Sequence, residues 1–236
     1  MEKRGVLILL GESFRLGEQG TRNIGSDESY NAQIKASFSH VSCVQYIKQQ
    51  YNIPFDIYIA TYNTKFNDTL LDIYKQYSIG YDLYDDRIGT KELINRSISK
   101  MNITLYDFIL LVRIDICLKD HFLTIFNPLW DTIRFASICF MPYHKTGVYP
   151  RVNPVLLWIP KKYYIYIKEY IDISCHDVWK NLMCNTTLTI EDVDTMIDTY
   201  HDSDSAKDYN PMYYIVNRYE SLVFHTPGEK FNKYTF

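Results

Sequence analysis

The stretch Phe108-Ile109-Leu110-Leu111-Val112-Arg113-Ile114-Asp115 decides the fold. Five consecutive apolar residues leave no side for water, so the run predicts a strand buried on both faces. Such strands belong to parallel sheets covered by helices above and below. Two charges close the run. Residues two apart in a strand share a face, so Arg113 and Asp115 are predicted as neighbours at the strand's carboxyl end. The whole strand is predicted over 107–118.

The same pattern recurs outward from it. Residues 6–10 form a second apolar run, ending at Gly11. After Pro54, residues 55–62 alternate and are rich in β-formers. Further strands are predicted over 79–84, 132–140 and 155–159, the last stopped by Pro160. Helical spacing places Ile34, Phe38, Val41, Val44, Tyr46 and Ile47 on a helix over 30–50, capped by Asp27 or Ser29. Shorter helices are predicted over 67–77, 91–101, 163–171 and 176–183. Residues 12–29 read as loop, 189–196 lead into an acidic segment, and 213–216 read as a late strand or helix. Strands alternating with helices give an α/β chain, a single domain with a Rossmann-like, mostly parallel sheet flanked by helices. Ligands of such sheets sit beyond the carboxyl ends of the strands.

Composition narrows the function. The 236 residues are 47% hydrophobic, with 9 glycines and 8 prolines, enough apolar mass for a core and too few breakers for long linkers. The net charge is −3 and no lysine- or arginine-rich run occurs, which excludes nonspecific nucleic-acid binding as the main activity. Five cysteines without CxxC spacing predict reduced thiols. The apolar run 6–10 is too short for a signal segment or a membrane span, so a soluble, cytoplasmic protein is expected. The 22 tyrosines suit a sugar site, but an AT-rich genome produces the same excess.

Three polar clusters carry the chemistry. Gly11-Glu12-Ser13-Phe14-Arg15 follows the first strand and continues to Arg22 and Asn23; its glycines allow close backbone approach and its arginines can pair with phosphate. Arg113 and Asp115 follow the central strand. The run Asp198-Thr199-Tyr200-His201-Asp202-Ser203-Asp204 gathers oxygen donors around an imidazole, a set suited to a divalent cation or a phosphorylated substrate. His176-Asp177 and the mixed aromatic and polar loop 143–151 are lesser candidates.

In this order along nearly the whole chain, the clusters resemble the GT-A-type glycosyltransferases found among giant DNA viruses of algae and protists. In that family an N-terminal strand opens on a nucleotide-binding loop, and a central strand ends in an Asp-x-Asp-like motif holding a cation and the sugar diphosphate. A further carboxylate follows, and a late histidine contacts the cation or phosphate. The resemblance implies nucleotide-sugar contacts from Gly11, Glu12, Ser13, Arg15, Arg22, Asn23, Thr61, Tyr62, Asn63, Arg113 and Asp115. It implies Asp115 and His201 as ligands of a divalent cation, manganese or magnesium. Asp177 and Asp202 become the catalytic carboxylates, with Asp177 the base for the acceptor hydroxyl in an inverting enzyme. The donor is then a nucleotide-diphosphate sugar, UDP-linked for instance, and the acceptor a glycan or glycoprotein. One domain, 1–236, divides into a nucleotide-binding half, 1–118, and an acceptor-binding half, 119–236. One position departs from the pattern. Arg113 stands in place of the first aspartate, where its charge repels a cation and replaces part of it on the diphosphate.

A second resemblance competes. Gly11-Glu12-Ser13 is similar to the Gly-Asp-Ser block of SGNH esterases, and Asp198-Thr199-Tyr200-His201 to their late Asp-x-x-His block. The implied triad is Ser13, His201 and Asp198. It leaves Arg113 and Asp115 unexplained. A non-catalytic nucleotide- or glycan-binding module is the third class.

Overall fold

The computed structural model describes residues 3–16, 23–136, 152, 155–168, 172–175, 177–199 and 213–215. Along the chain run β1 (Gly5–Gly11), β2 (Arg15–Leu16), β3 (Asn23–Ile24), α1 (Tyr30–Tyr51), β4 (Phe55–Tyr62), α2 (Asn67–Tyr74), β5 (Ser78–Tyr84) and α3 (Thr90–Lys100). There follow β6 (Phe108–Arg113), β7 (Ile116–Leu118), α4 (Asp120–Ile125), β8 (Ile133–Phe135), β9 (Leu156–Pro160) and α5 (Tyr164–Lys168). The last elements are α6 (Val178–Asn185), α7 (Ile190–Met196), β10 (Ile197–Thr199) and β11 (Tyr213–Ile215).

Seven of the strands form one sheet in the order β10-β8-β9-β6-β1-β4-β5. β6, β1, β4 and β5 are mutually parallel, as are β10 and β8; β9 runs antiparallel to both of its neighbours. The expected α/β domain with a mostly parallel sheet between helices is thus the one observed. β1 and β6, the two continuous apolar runs, lie side by side at its centre.

Each face of the sheet carries its own core. Val6, Ile8, Leu10, Ile109 and Leu111 pack against Leu93 and Ile94 of α3, Val178 and Leu182 of α6 and Val193 of α7. Leu7, Leu9, Ile57, Leu110 and Val112 pack against Val44 and Ile47 of α1, Leu70 of α2 and Phe122 of α4. The Trp158 ring stacks on Phe108 at 4.0 Å. At the start of β1 a glycine is required by space: a Cβ on Gly5 would stand 2.2 Å from the Phe108 ring and 2.6 Å from that of Phe55.

The structure departs from the sequence expectations in definite places. The strand predicted over 107–118 is broken. β6 stops at Arg113, a two-residue turn holds Ile114 and Asp115, and β7 leaves the sheet to pair antiparallel with β11. The reason is the neighbour: β1 ends at Gly11, one residue beyond its pairing of Leu10 with Arg113, so no ladder remains to extend on. On α1, Phe38 is 56% exposed rather than part of the apolar stripe, and the buried face carries Gln33, Ser37 and His40 among small residues. Pro160 is the last residue of β9 instead of lying beyond it. The short elements β10 and α4 have no counterpart among the expectations. Residues 137–140 of the strand expected over 132–140, and the loop 143–151, lie outside the described residues.

Candidate active site at the carboxyl ends of β1, β4 and β6

Three strands end side by side. Register pairs Gly11 of β1 with Thr61 of β4, and Leu10 of β1 with Arg113 of β6. The segments that follow them, 11–15, 61–63 and 113–115, therefore emerge along one rim, where ligands of parallel sheets bind.

Local bonds shape the first segment. Gly11 has φ 108°, a left-handed conformation that disfavours any side chain, and the space where a Cβ would stand is open. The Thr61 hydroxyl donates to the Gly11 carbonyl at 2.7 Å and accepts the Ser13 N–H at 3.2 Å. Phe14 also adopts a positive φ, 49°, which costs a non-glycine residue on the order of 1 kcal/mol or more. Its ring is fully buried between Tyr30 and Phe66, with centroids at 5.8 and 4.7 Å, and its N–H donates to Gln33 Oε1 at 3.1 Å.

Charges line the rim in pairs. Glu12 and Arg15, each 8% exposed, form an ion pair at 3.2 Å, and Arg87 approaches the other Glu12 oxygen at 3.9 Å. Arg113 Nη2 donates to Asp115 Oδ2; the arginine side chain is 21% exposed and the aspartate 3%. The predicted neighbours are thus in direct contact, with the cation on the open side and the anion beneath it. Tyr62 points inward, donating its hydroxyl to the Ile88 carbonyl. Asn63 donates to Asp85 and accepts from Asn67 at 2.8 Å.

Beneath the rim, α1 presents polar groups to backbone. Gln33 Nε2 donates to the Ile114 carbonyl at 2.8 Å, and the Leu118 N–H donates to Ser39 Oγ at 3.0 Å. His40 Nε2 donates to the Ile116 carbonyl at 2.8 Å, and its Nδ1 accepts the Tyr74 hydroxyl at 2.8 Å, an arrangement that fixes one neutral tautomer. Burial lowers the His40 pKa to about 4, opposed by the Ile116 bond and the Asp115 charge. Burial likewise raises the Tyr74 hydroxyl, so both groups stay neutral near pH 7.

Of the residues singled out from sequence, Gly11, Glu12, Ser13, Arg15, Tyr62, Arg113 and Asp115 are brought to this rim. Asn23 lies on β3, exposed, paired with Leu16 across the short β2–β3 hairpin. Asp177 is the residue before α6, its carbonyl accepting the Asn181 N–H at 2.9 Å. Burial and then the Asp172 charge raise the neighbouring Cys175 thiol, opposed by a hydrogen bond from the Asp177 backbone and by Lys91 at the start of α3. Arg22, His201, Asp202 and Asp204 lie outside the described residues. Among the described residues no three His, Cys, Asp or Glu side chains gather as a cation site. Asp115 alone, with Arg113 on it, does not fit a divalent cation. Thr61 and Asn63, which the resemblance implies as nucleotide contacts with Tyr62, also lie on this rim; sequence reasoning missed Gln33 and His40. The signal for the last two was the polar spacing Gln33, Ser37, His40, one helix face set among alanines.

The SGNH triad does not fit this geometry. Ser13 is fully buried, and Asp198 lies on β10, four strands away from β1 in the sheet, about 19 Å at ordinary strand spacing. A triad needs hydrogen-bond contact between its members.

No protein-family profile matches the sequence, and no curated protein matches it. Solved structures do. The 4-diphosphocytidyl-2C-methyl-D-erythritol synthase of Anaerococcus prevotii superposes with a TM-score of 0.54 over 94% of this chain and 94% of its own, at 13% identity. The fold is GT-A-like. A Desulfovibrio desulfuricans protein assigned as a nucleotide-diphospho-sugar transferase gives a TM-score of 0.49 at 13% identity, covering 86% of this chain and 81% of its own. The Drosophila β1,4-galactosyltransferase 7, solved with manganese, UDP-Gal and xylobiose, gives 0.42 at 12% identity, covering 99% and 78%. At 13% identity the synthase superposition establishes the fold alone, and nothing in these likenesses bears on a viral origin. Among the described residues no helix is long and apolar enough to cross a membrane.

Proposed function

We propose that the chain is a glycosyltransferase that moves a sugar from a nucleotide-diphosphate sugar to a glycan or protein-linked acceptor. The observation that supports it is the Arg113–Asp115 pair at the end of β6, beside Gly11–Arg15 and Thr61–Asn63 on one rim. Displacement at the anomeric carbon leaves a nucleoside diphosphate whose growing negative charge needs compensation. The partly exposed Arg113 guanidinium is our candidate for that compensation, and Arg22 is the second arginine the reading assigns to it. Gly11 gives phosphate oxygens access to backbone. Asp177 is the base we assign to the acceptor hydroxyl, and Asp202 a second carboxylate of the same chemistry. Because the Asp115 carboxylate is already bonded to Arg113, the reading meets the charge on the diphosphate with arginine rather than with a metal held there.

A nucleotidyltransferase is the second reading, favoured by the synthase of a diphosphocytidyl compound that superposes over nearly the full chain. The two share a nucleotide pocket and differ in the bond made. The test is a thermal-shift series of UDP-, GDP- and CMP-linked sugars and of CTP and UTP, each with and without manganese. A ligand at 100 times its dissociation constant adds about 2.7 kcal/mol of stability. Stabilisation by one class of nucleotide sugar, abolished in Asp115→Ala and only weakened in Ser13→Ala, is the expected outcome. Stabilisation by a nucleoside triphosphate alone replaces the first reading with the second. No shift with any nucleotide overturns both.

A further inference from the structure

The two loops that flank the rim are joined beneath it by one side chain. Gln33, 1% exposed on α1, accepts the Phe14 N–H through Oε1 at 3.1 Å and donates to the Ile114 carbonyl through Nε2 at 2.8 Å. Phe14 and Ile114 are both fully buried, so neither backbone group has water as an alternative partner. Phe14 is the residue held at φ 49°, and Ile114 opens the turn that carries Asp115. The same turn is tied to β1 by the Ile114 N–H on the Leu10 carbonyl at 2.8 Å.

We propose that Gln33 is a positioning residue: its single amide locks the Glu12–Arg15 loop and the Arg113–Asp115 turn at one separation, so that the two move only together. An amide is the side chain that performs this, because it donates and accepts at once without carrying charge. Holding Phe14 in the left-handed region sets the direction in which Glu12 and Arg15 leave β1. Holding Ile114 sets the height of the Arg113–Asp115 pair on the rim. That this separation matches a nucleotide-sugar diphosphate rests on the proposed function; the clamp itself does not.

Amide hydrogen exchange of the free protein tests the clamp. Gln33→Met keeps the volume and removes both bonds. Exchange at Ser13, Phe14, Arg113 and Ile114 is expected to accelerate on the order of tenfold, the effect of losing one or two net hydrogen bonds, with β1 and β4 still protected. Gln33→Glu adds a readout that filling space alone would not move. A neutral carboxylic acid reproduces both bonds, whereas a carboxylate cannot donate to Ile114. Gln33→Glu is therefore expected to match wild type at the same pH in both loops while the acid is neutral, and to lose protection in both loops together as rising pH ionises it, which decides the matter even where Gln33→Met does not fold. Unchanged protection in Gln33→Met, acceleration in one loop only, or a pH-dependent loss confined to one loop in Gln33→Glu each overturn the clamp. UDP, GDP and CDP titrated onto wild type separate the two proposals: a wild type that binds none of them sinks the glycosyltransferase and leaves the exchange result standing.

Discussion

Removing either half of the Arg113–Asp115 pair strands the other, and the two losses are unequal. Asp115 is 2% exposed, so Arg113→Ala leaves a charge in a place that water does not reach. A loss of about 3 kcal/mol follows, with Arg113→Lys and Asp115→Asn each costing less. Urea denaturation of the three variants measures this; equal losses would mean that the pair is solvated. His40 supplies a second residue-scale prediction. Its folded pKa of about 4 lies below the ordinary 6.5, so between those values the unfolded chain binds the extra proton. Stability is full above pH 6.5 and is lost as pH falls toward 4, by roughly 3 kcal/mol over the window. The upper part of that window, pH 6.5 to 5, precedes ordinary carboxylate titration. There, the slope of unfolding free energy with pH should flatten in His40→Gln, and an unchanged slope would assign it to other groups.

At the scale of elements, β1 is limited at its start by space and at its end by backbone conformation. Gly5→Ala forces a methyl group to within 2.2 Å of the Phe108 ring, an overpacking that costs about 1–3 kcal/mol. Adding Phe108→Leu should recover part of the loss in a thermal melt, and additive losses would contradict a clash between those two positions. The central strands were legible in sequence because continuous apolar runs have one explanation, burial on both faces. The end of β6 was not legible. It depends on where β1 stops, a property of another segment of the chain. The buried face of α1 was misread for a related reason: hydrophobicity predicted Phe38 inward, but the segment after Arg113 offers bare carbonyls, and Gln33 and His40 answer them. Arg113 and Asp115 were found because their charges interrupt an apolar run.

At the scale of the molecule, one sheet is the partition between two cores, and it passes without a break across the boundary at 118 expected from sequence. Trp158 lies in the core on one face and Trp179 in the core on the other. Neither core keeps a wall if the sheet is lost. Leu110→Ala should therefore cost about 2–5 kcal/mol and lower one common transition, with tryptophan fluorescence and far-UV dichroism coincident. Two separated transitions would show that the faces unfold independently. The antiparallel β9 has a consequence for synthesis. β6 is complete at Arg113, but the strand that covers its free side begins at Leu156. A nascent chain thus carries Phe-Ile-Leu-Leu-Val as a naked sheet edge, without proline and closed by one arginine, while some forty more residues are translated. Such an edge recruits other strands. Slower translation between 113 and 156 is therefore expected to lower the native yield, which a variant with slow synonymous codons over that interval would measure.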